Sequence, residues 1–265
     1  NLIGVAGIAP NCKIMALKAG YMDSNRGGSF TSLGIANAIY YAVNNGAKII
    51  NMSFGGLGND SVITDAVQFA LGRDVLCVAA AGNDGAHIDR SVASKIFTPA
   101  TIEGVLTVSS VDGQKEKSKF TNYGPQVDVC APGEAIFSVY YDSVNSRFSY
   151  TASSGTSQAA PQVAGVAGLL FSLNPNLNST QVKSILTSQS SEDLGDVGRD
   201  DYYGYGAICV VRYCITVDLD HSITIALDFK PQNIRYTNIL RLKRRGKKKK
   251  LAKIKKEKNN FFYEE

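Results

Sequence analysis

The run VLCVAAA at residues 75–81 constrains this chain more than any other stretch. A strand with one solvated face alternates apolar and polar side chains. Seven consecutive apolar residues leave no wet face, so this strand must be covered on both sides. Parallel sheets are made of such strands, because their crossover helices lie over both faces. The flanking sequence supplies the helices. FTSLGIANAIYYAVNNG (30–46) places Leu33, Ala36, Ile39, Tyr40 and Val43 on one helical face and stops at Asn45-Gly46, where Gly46 suits a C-terminal cap. DSVITDAVQFALGRD (60–74) predicts a second amphipathic helix, capped by Asp60 or Ser61. Strands are expected at KIMALKA (13–19), AKIINMS (47–53), GVLTVSSV (104–111), VDVCAPG (127–133), AIFSVY (135–140) and FSYTAS (148–153). A small-residue helix opens in SGTSQAAPQVAG (154–165), with Pro161 near its first turn, and another follows at STQVKSILTSQS (179–190). Strands alternating with helices of this length predict a three-layer α/β/α fold with a mostly parallel central sheet.

The 265 residues allow one large α/β domain or two small ones, and 44% hydrophobic content is enough for a sizeable core. No apolar run approaches ~18 residues, so no membrane-spanning helix is expected. The chain opens on NLIGVAGIAP, in which no signal peptide can be read. The net charge of +5 conceals an asymmetry. Residues 230–265 hold 14 basic and 3 acidic residues, a net of +11, while the other 229 hold 14 basic and 20 acidic, a net of −6. The stretch RLKRRGKKKKLAKIKKEK is too polar to bury a core, so a disordered basic tail is expected from about residue 230. Few aromatics interleave with its charges, and no nucleic-acid partner is expected. Of five cysteines, Cys77 and Cys130 sit in strand-like runs as small hydrophobes, and Cys209 and Cys214 lack a zinc or redox spacing, so no disulfide framework is expected.

Three Gly-rich polar loops each follow a predicted strand: SFGG (53–56), GND (82–84) and SGTS (154–157). Ligand sites gather at the carboxyl edge of a parallel sheet, so the three loops are expected to converge. Singly, each has an ordinary explanation: a Ser before a helix is commonly an N-cap, and Asn tolerates tight turns. Together they offer separate chemical parts. Ser157 is a candidate nucleophile at a helix start, where free amides favour negative charge. Asn83 has a neutral amide that can aim an N–H at an oxyanion beside the Ser157 N–H. The extended SFGG stretch, Ser53, Phe54, Gly55 and Gly56, can take a peptide as an added strand.

These residues carry a resemblance. SGTSQAAPQVAG resembles the nucleophile motif of the subtilisin-like serine proteases, the subtilases; AAAGNDG resembles their oxyanion-Asn segment and NMSFGG their substrate-binding strand. GVAGIAPNCKIMALKA, FTNYGPQVDVCAPG and YTASSGTSQAAPQVAGVAGLLFSLNPNLN fit as well, in order and spacing, so the likeness covers residues 1–208 and leaves 209–265 unassigned. It implies a subtilisin-like fold and a serine endopeptidase. Ser157 would attack the scissile carbonyl, with Asn83 and the Ser157 amide holding the oxyanion. Residues 53–56 would pair with substrate backbone, and Ala80, Ala81 and Gly82 would wall the pocket for the side chain before the cut. Gly155 would leave room for the substrate, and Thr156 would set the strand-to-helix turn.

The resemblance also implies a peptide or protein substrate, a propeptide, a monomer and an extracellular setting. No cofactor is needed for the chemistry. A structural calcium is an option for the longer protein, with Asn1, Ile3 and Val5 in a family-like loop, though no metal ligand is assigned. One departure stands out. The family's Asp lies in a D-[ST]-G turn and its His in an H-G-T-H-like helix start, and neither motif is present. His87 and His221 have neither the context nor the order of the base. The expectation is that this sequence begins downstream of both residues, and that as it stands it is inactive. The alternative is a peptide-binding pseudoprotease.

Overall fold

A computed structural model describes residues 4–23, 27–142, 145–188, 191–208, 215–217 and 223–225. In chain order these form β1 (Gly20–Asp23), β2 (Gly27–Phe30), α1 (Ser32–Asn44), β3 (Ile49–Met52), β4 (Gly56–Leu57), α2 (Ser61–Leu71), β5 (Leu76–Ala80) and β6 (Phe97–Thr98). There follow β7 (Leu106–Val111), β8 (Val127–Pro132), β9 (Ile136–Asp142), β10 (Arg147–Ser153), α3 (Thr156–Leu173), α4 (Ser179–Ser188), β11 (Ser191–Glu192), β12 (Ala207–Ile208), β13 (Ile215–Val217) and β14 (Ile223–Ile225). The basic tail expected from residue 230 lies outside the described residues, as do Cys209, Cys214 and His221.

The central sheet runs β11-β12-β8-β7-β5-β3. Its neighbours from β12 to β3 are parallel, and only β11 joins antiparallel. The chain is therefore a three-layer α/β/α fold with a mostly parallel sheet. β5 shows why the unbroken apolar run matters. Leu76, Val78 and Ala80 pack with Val163, Val166, Ala167 and Leu170 of α3, and with Val182 and Leu186 of α4. Cys77, Ala79 and Ala81 pack on the opposite face with α1 and α2, through Ile35, Ala36, Ile39, Ile63, Ala66 and Val67. Every residue of β5 is buried.

Local chemistry sets the helix limits. The Thr31 hydroxyl accepts from the Gly34 N–H at 3.0 Å, and Gly46 follows the last turn of α1 with φ +80°. Asp60 is the N-cap of α2: Oδ1 accepts from the Ile63 N–H at 3.1 Å, and Oδ2 accepts from the Ser32 hydroxyl. The buried stripe of α1 differs from the expected one. Ile35, Ala36, Ile39 and Ala42 are buried, whereas Leu33 is 65% exposed. The helix is apolar on more than one face, so periodicity alone does not select the side that packs.

Two strand expectations need correction. Residues 13–19 form no strand, and Ile14, Met15 and Leu17 are exposed. An extended segment becomes a strand only when a neighbour takes its N–H and C=O groups, and residues 13–19 have no such neighbour among the described residues. Residues 148–153 do form β10, but it pairs antiparallel with β9 alone and stands outside the parallel sheet.

Candidate active site

Two of the three loops leave adjacent parallel strands. β3 and β5 pair with Met52 opposite Ala79, so residues 53–56 and 81–84 emerge side by side at the carboxyl edge. The third loop arrives differently from the expected route: the β9–β10 hairpin, not a sheet strand, delivers residues 154–157 to the start of α3. All three loops nevertheless meet.

Thr156, fully buried, locks them together. Its N–H and its hydroxyl both donate to Asn83 Oδ1, at 2.8 and 2.9 Å, and its hydroxyl accepts from the Gly82 N–H at 3.1 Å. With its oxygen held twice, the Asn83 amide keeps its Nδ2 donor for something else. A Cβ built on Gly155 would lie 3.4 Å from that Nδ2 and 2.9 Å from the movable end of Gln158, so glycine keeps the approach to the donor uncrowded. Gly82 sits at φ +106° against the Asn122 amide, again a position for glycine.

Ser157 is the second residue of α3 and is half-buried. Its hydroxyl donates to the Ser53 carbonyl at 3.1 Å, and its own carbonyl accepts from the Ser53 hydroxyl at 3.0 Å. Pro161 explains the second bond. It lies in the second turn of α3 rather than the first, four residues after Ser157. Having no N–H, it leaves the Ser157 carbonyl without its helical partner, and Ser53 takes the vacancy. The Ser157 N–H is among the unpaired donors at the start of an 18-residue helix. Among the described residues, neither that N–H nor Asn83 Nδ2 has a hydrogen-bond partner.

Along the groove, residues 53–55 join no strand ladder among the described residues, while Gly56 and Leu57 pair with Thr98 and Phe97. Phe54 packs on Phe30 with ring centroids 5.3 Å apart. Ala80, Ala81 and Gly82 are buried. His87 stays away from Ser157 in its bonding: Nε2 lies 3.8 Å from Asp201 Oδ2, and the ring stands edge-on to Tyr123. Of the loop expected to suit calcium, Asn1 and Ile3 lie outside the described residues, and Val5 is exposed. No group of three or more His, Cys, Asp or Glu side chains converges as a metal site among the described residues.

One positioning residue escaped the sequence reading. Asn122, fully buried, donates to the Ala81 carbonyl at 3.0 Å, accepts at Oδ1 from the Asp84 and Ala86 N–H groups at 3.0 Å each, and donates its own N–H to the Gly82 carbonyl at 2.9 Å. It brackets Asn83 from both sides. A polar residue in the turn FTNYG was the available signal.

A parallel α/β sheet that sets a serine at a helix start, an amide side chain beside it and an extended Gly-rich strand alongside has the plan of an α/β serine peptidase. Residues 1–206 match the model of the subtilase family, and the chain belongs to that family. It is 37% identical over 210 residues to subtilisin DY of Bacillus licheniformis, covering 79% of this chain and 71% of that protein. Thermitase of Thermoactinomyces vulgaris is 41% identical over 172 residues, 65% of this chain and 56% of its own length. A solved protease of Pseudoalteromonas arctica superposes with a TM-score of 0.67 at 30% identity, over 78% of this chain and 63% of that one. The chain spans about half the length, 47–56%, of other curated relatives it matches.

Proposed function

We propose that this chain carries the nucleophile, the oxyanion donors and the substrate-pairing strand of a serine endopeptidase that cleaves peptide bonds through an acyl-enzyme. The observation that carries the reading is the pair of unused donors, Asn83 Nδ2 and the Ser157 N–H, beside the Ser157 hydroxyl. Ser157 Oγ attacks the carbonyl carbon, and the oxygen that gains charge is received by those two donors at the positive end of α3. In this family the established cost of losing such an Asn donor is about 10²–10³ in turnover. Residues 53–56 hold the substrate as an extended strand, Ala80, Ala81 and Gly82 wall the pocket, Gly155 leaves the approach open, and Thr156 fixes Asn83. Side chains and backbone supply this chemistry. The setting proposed is extracellular, with the protein made as a longer precursor that carries a propeptide. Calcium, if held, has no step in the reaction.

Among the described residues no His, Asp or Glu side chain hydrogen-bonds to the Ser157 hydroxyl. The Ser157 hydroxyl donates to a backbone carbonyl, which cannot carry its proton away, and a serine without a general base is a poor nucleophile near neutral pH. That bond favours a second reading for the 265-residue chain taken alone, a groove that binds peptide without cutting it. The test is hydrolysis of an unstructured protein such as casein by the purified chain and by Ser157→Ala. Equal, background-level rates are expected. Turnover that Ser157→Ala abolishes would overturn the inactive reading. Turnover that persists in Ser157→Ala would overturn the assignment of Ser157 itself.

A further inference from the structure

The slot between the two walls of the groove is already filled from below. Phe97 of β6 is 6% exposed, and its ring lies between Gly55 of one wall and Gly82 of the other. A Cβ built on Gly55 would lie well inside van der Waals contact distance of ring atom Cε1. One built on Gly82 would lie 2.7 Å from Cζ and 3.0 Å from Cε1. The Cε1–Cζ edge of the ring therefore lies against both glycine backbones, where the two walls meet.

It is also held in place. The Phe97 N–H donates to the Thr101 hydroxyl at 3.1 Å, its carbonyl accepts from the Thr101 N–H at 2.9 Å, and its strand pairs with Leu57. The side chain belongs to the core cluster that includes Ala81, Ile88, Ala100 and Ile102. Swinging the ring aside would break into that core, so the closure is a fixed feature of the fold.

We infer that Phe97 sets the substrate class: the groove accepts polypeptide whose residue before the cut is Gly, Ala or Ser, and refuses Leu, Phe and other large side chains. The inference rests on the peptidase reading, which places that side chain between residues 53–56 and 80–82. The physical reason is size. An entering side chain larger than a methyl or hydroxymethyl meets a packed aromatic ring, and close-packed interiors do not yield by a ring's thickness without cost. Differences of a single methylene in apolar pockets are worth about 10–200-fold, so exclusion of a whole aromatic side chain is worth at least ~10-fold.

The test needs no turnover. Acetylated tetrapeptides that end in Ala, Leu or Phe and are otherwise identical are titrated into the 265-residue chain. Fluorescence polarisation reads affinity, and backbone amide shifts of Asn83, Gly155 and Ser157 report the site. The Ala peptide is expected to bind at least ~10-fold tighter than the Phe peptide, and Phe97→Ala to level or reverse that ranking. Equal affinity of the Ala and Phe peptides, with shifts at those three amides, would overturn the inference and leave the groove reading intact. If no peptide moves those amides, both fall. Should Phe97→Ala not fold, the ranking on the unmodified chain decides alone, and Phe97→Leu supplies an intermediate opening.

Discussion

Asn122 shows how one residue can carry a site without touching a substrate. It satisfies the Asp84 and Ala86 N–H groups on either side of Asn83, and both would lose their partner in Asn122→Ala. Both donors are only part-buried and water can replace some of the lost bonding, so the variant is expected to lose about 1–3 kcal/mol in urea unfolding. Amide exchange at residues 84 and 86 should quicken before the rest of the sheet, and uniform exchange across β5 would argue against the bracket. The thiols make a second case at this scale. Burial pushes the Cys77 thiol up to about 12, and burial followed by the charge of Asp200 raises Cys130 as well. Both stay protonated and covered at pH 8, so alkylation mapped by mass spectrometry should label exposed Cys12 quickly, and Cys77 and Cys130 only on unfolding.

At the scale of elements, the Asp60 carboxylate joins two helix starts, capping α2 through Ile63 and accepting from Ser32 at the head of α1. The Ser32 hydroxyl first, and the backbone amides after it, hold the Asp60 carboxyl below its usual range. A carboxylate depressed in the folded state contributes stability above its unfolded pKa and loses it as pH falls through the folded value. Asp60→Ala should therefore cost about 0.5–2 kcal/mol at pH 7, and progressively less in melts as pH is lowered through the range where the folded-state carboxylate protonates. If the cost is unchanged at low pH, the charge is not what holds the two helices. Elements also divide what was legible in the sequence from what was not. Strand β5 was readable because an unbroken apolar run has few other uses, and the Asp60 cap because side-chain chemistry there is local. Residues 13–19 have an equally strand-like composition, but a strand is defined by its neighbour, which composition does not contain. The three loops were legible as a set, although one of them reaches the site by a hairpin. Phe97 was not: in IFTPA it reads as one more core aromatic, and only folding sets it between glycines 42 positions before it and 15 positions before it.

Across the whole molecule, one surface stands apart. The register of β9 and β10 puts Phe137, Val139, Tyr141, Phe148 and Tyr150 on a single face, and each is between 40% and 79% exposed. Phe137 stacks on Tyr150, and Tyr141 packs against Phe148, so the face is continuous. Exposed apolar patches of this kind favour association. The chain is expected to bind the dye ANS under native conditions and to show a light-scattering mass that rises with concentration, against the monomer expected from sequence. Replacing Phe137 and Phe148 by Ser should reduce both signals without changing the far-UV circular dichroism. Signals unaffected by the replacement would place the sticky surface elsewhere.

The ties that close the groove also set a schedule. Ser53 and Ser157 are 104 residues apart, and Asn83 and Thr156 are 73 apart. At a synthesis rate of about 5–20 residues per second, Ser157 leaves the ribosome roughly 5–20 s after Ser53. Throughout that interval the extended strand and the Asn83 loop exist without the helix that holds them. The groove cannot be assembled piece by piece as the chain emerges; it appears in one step, when the last segment docks, so the distance between its parts along the message acts as a clock for its formation.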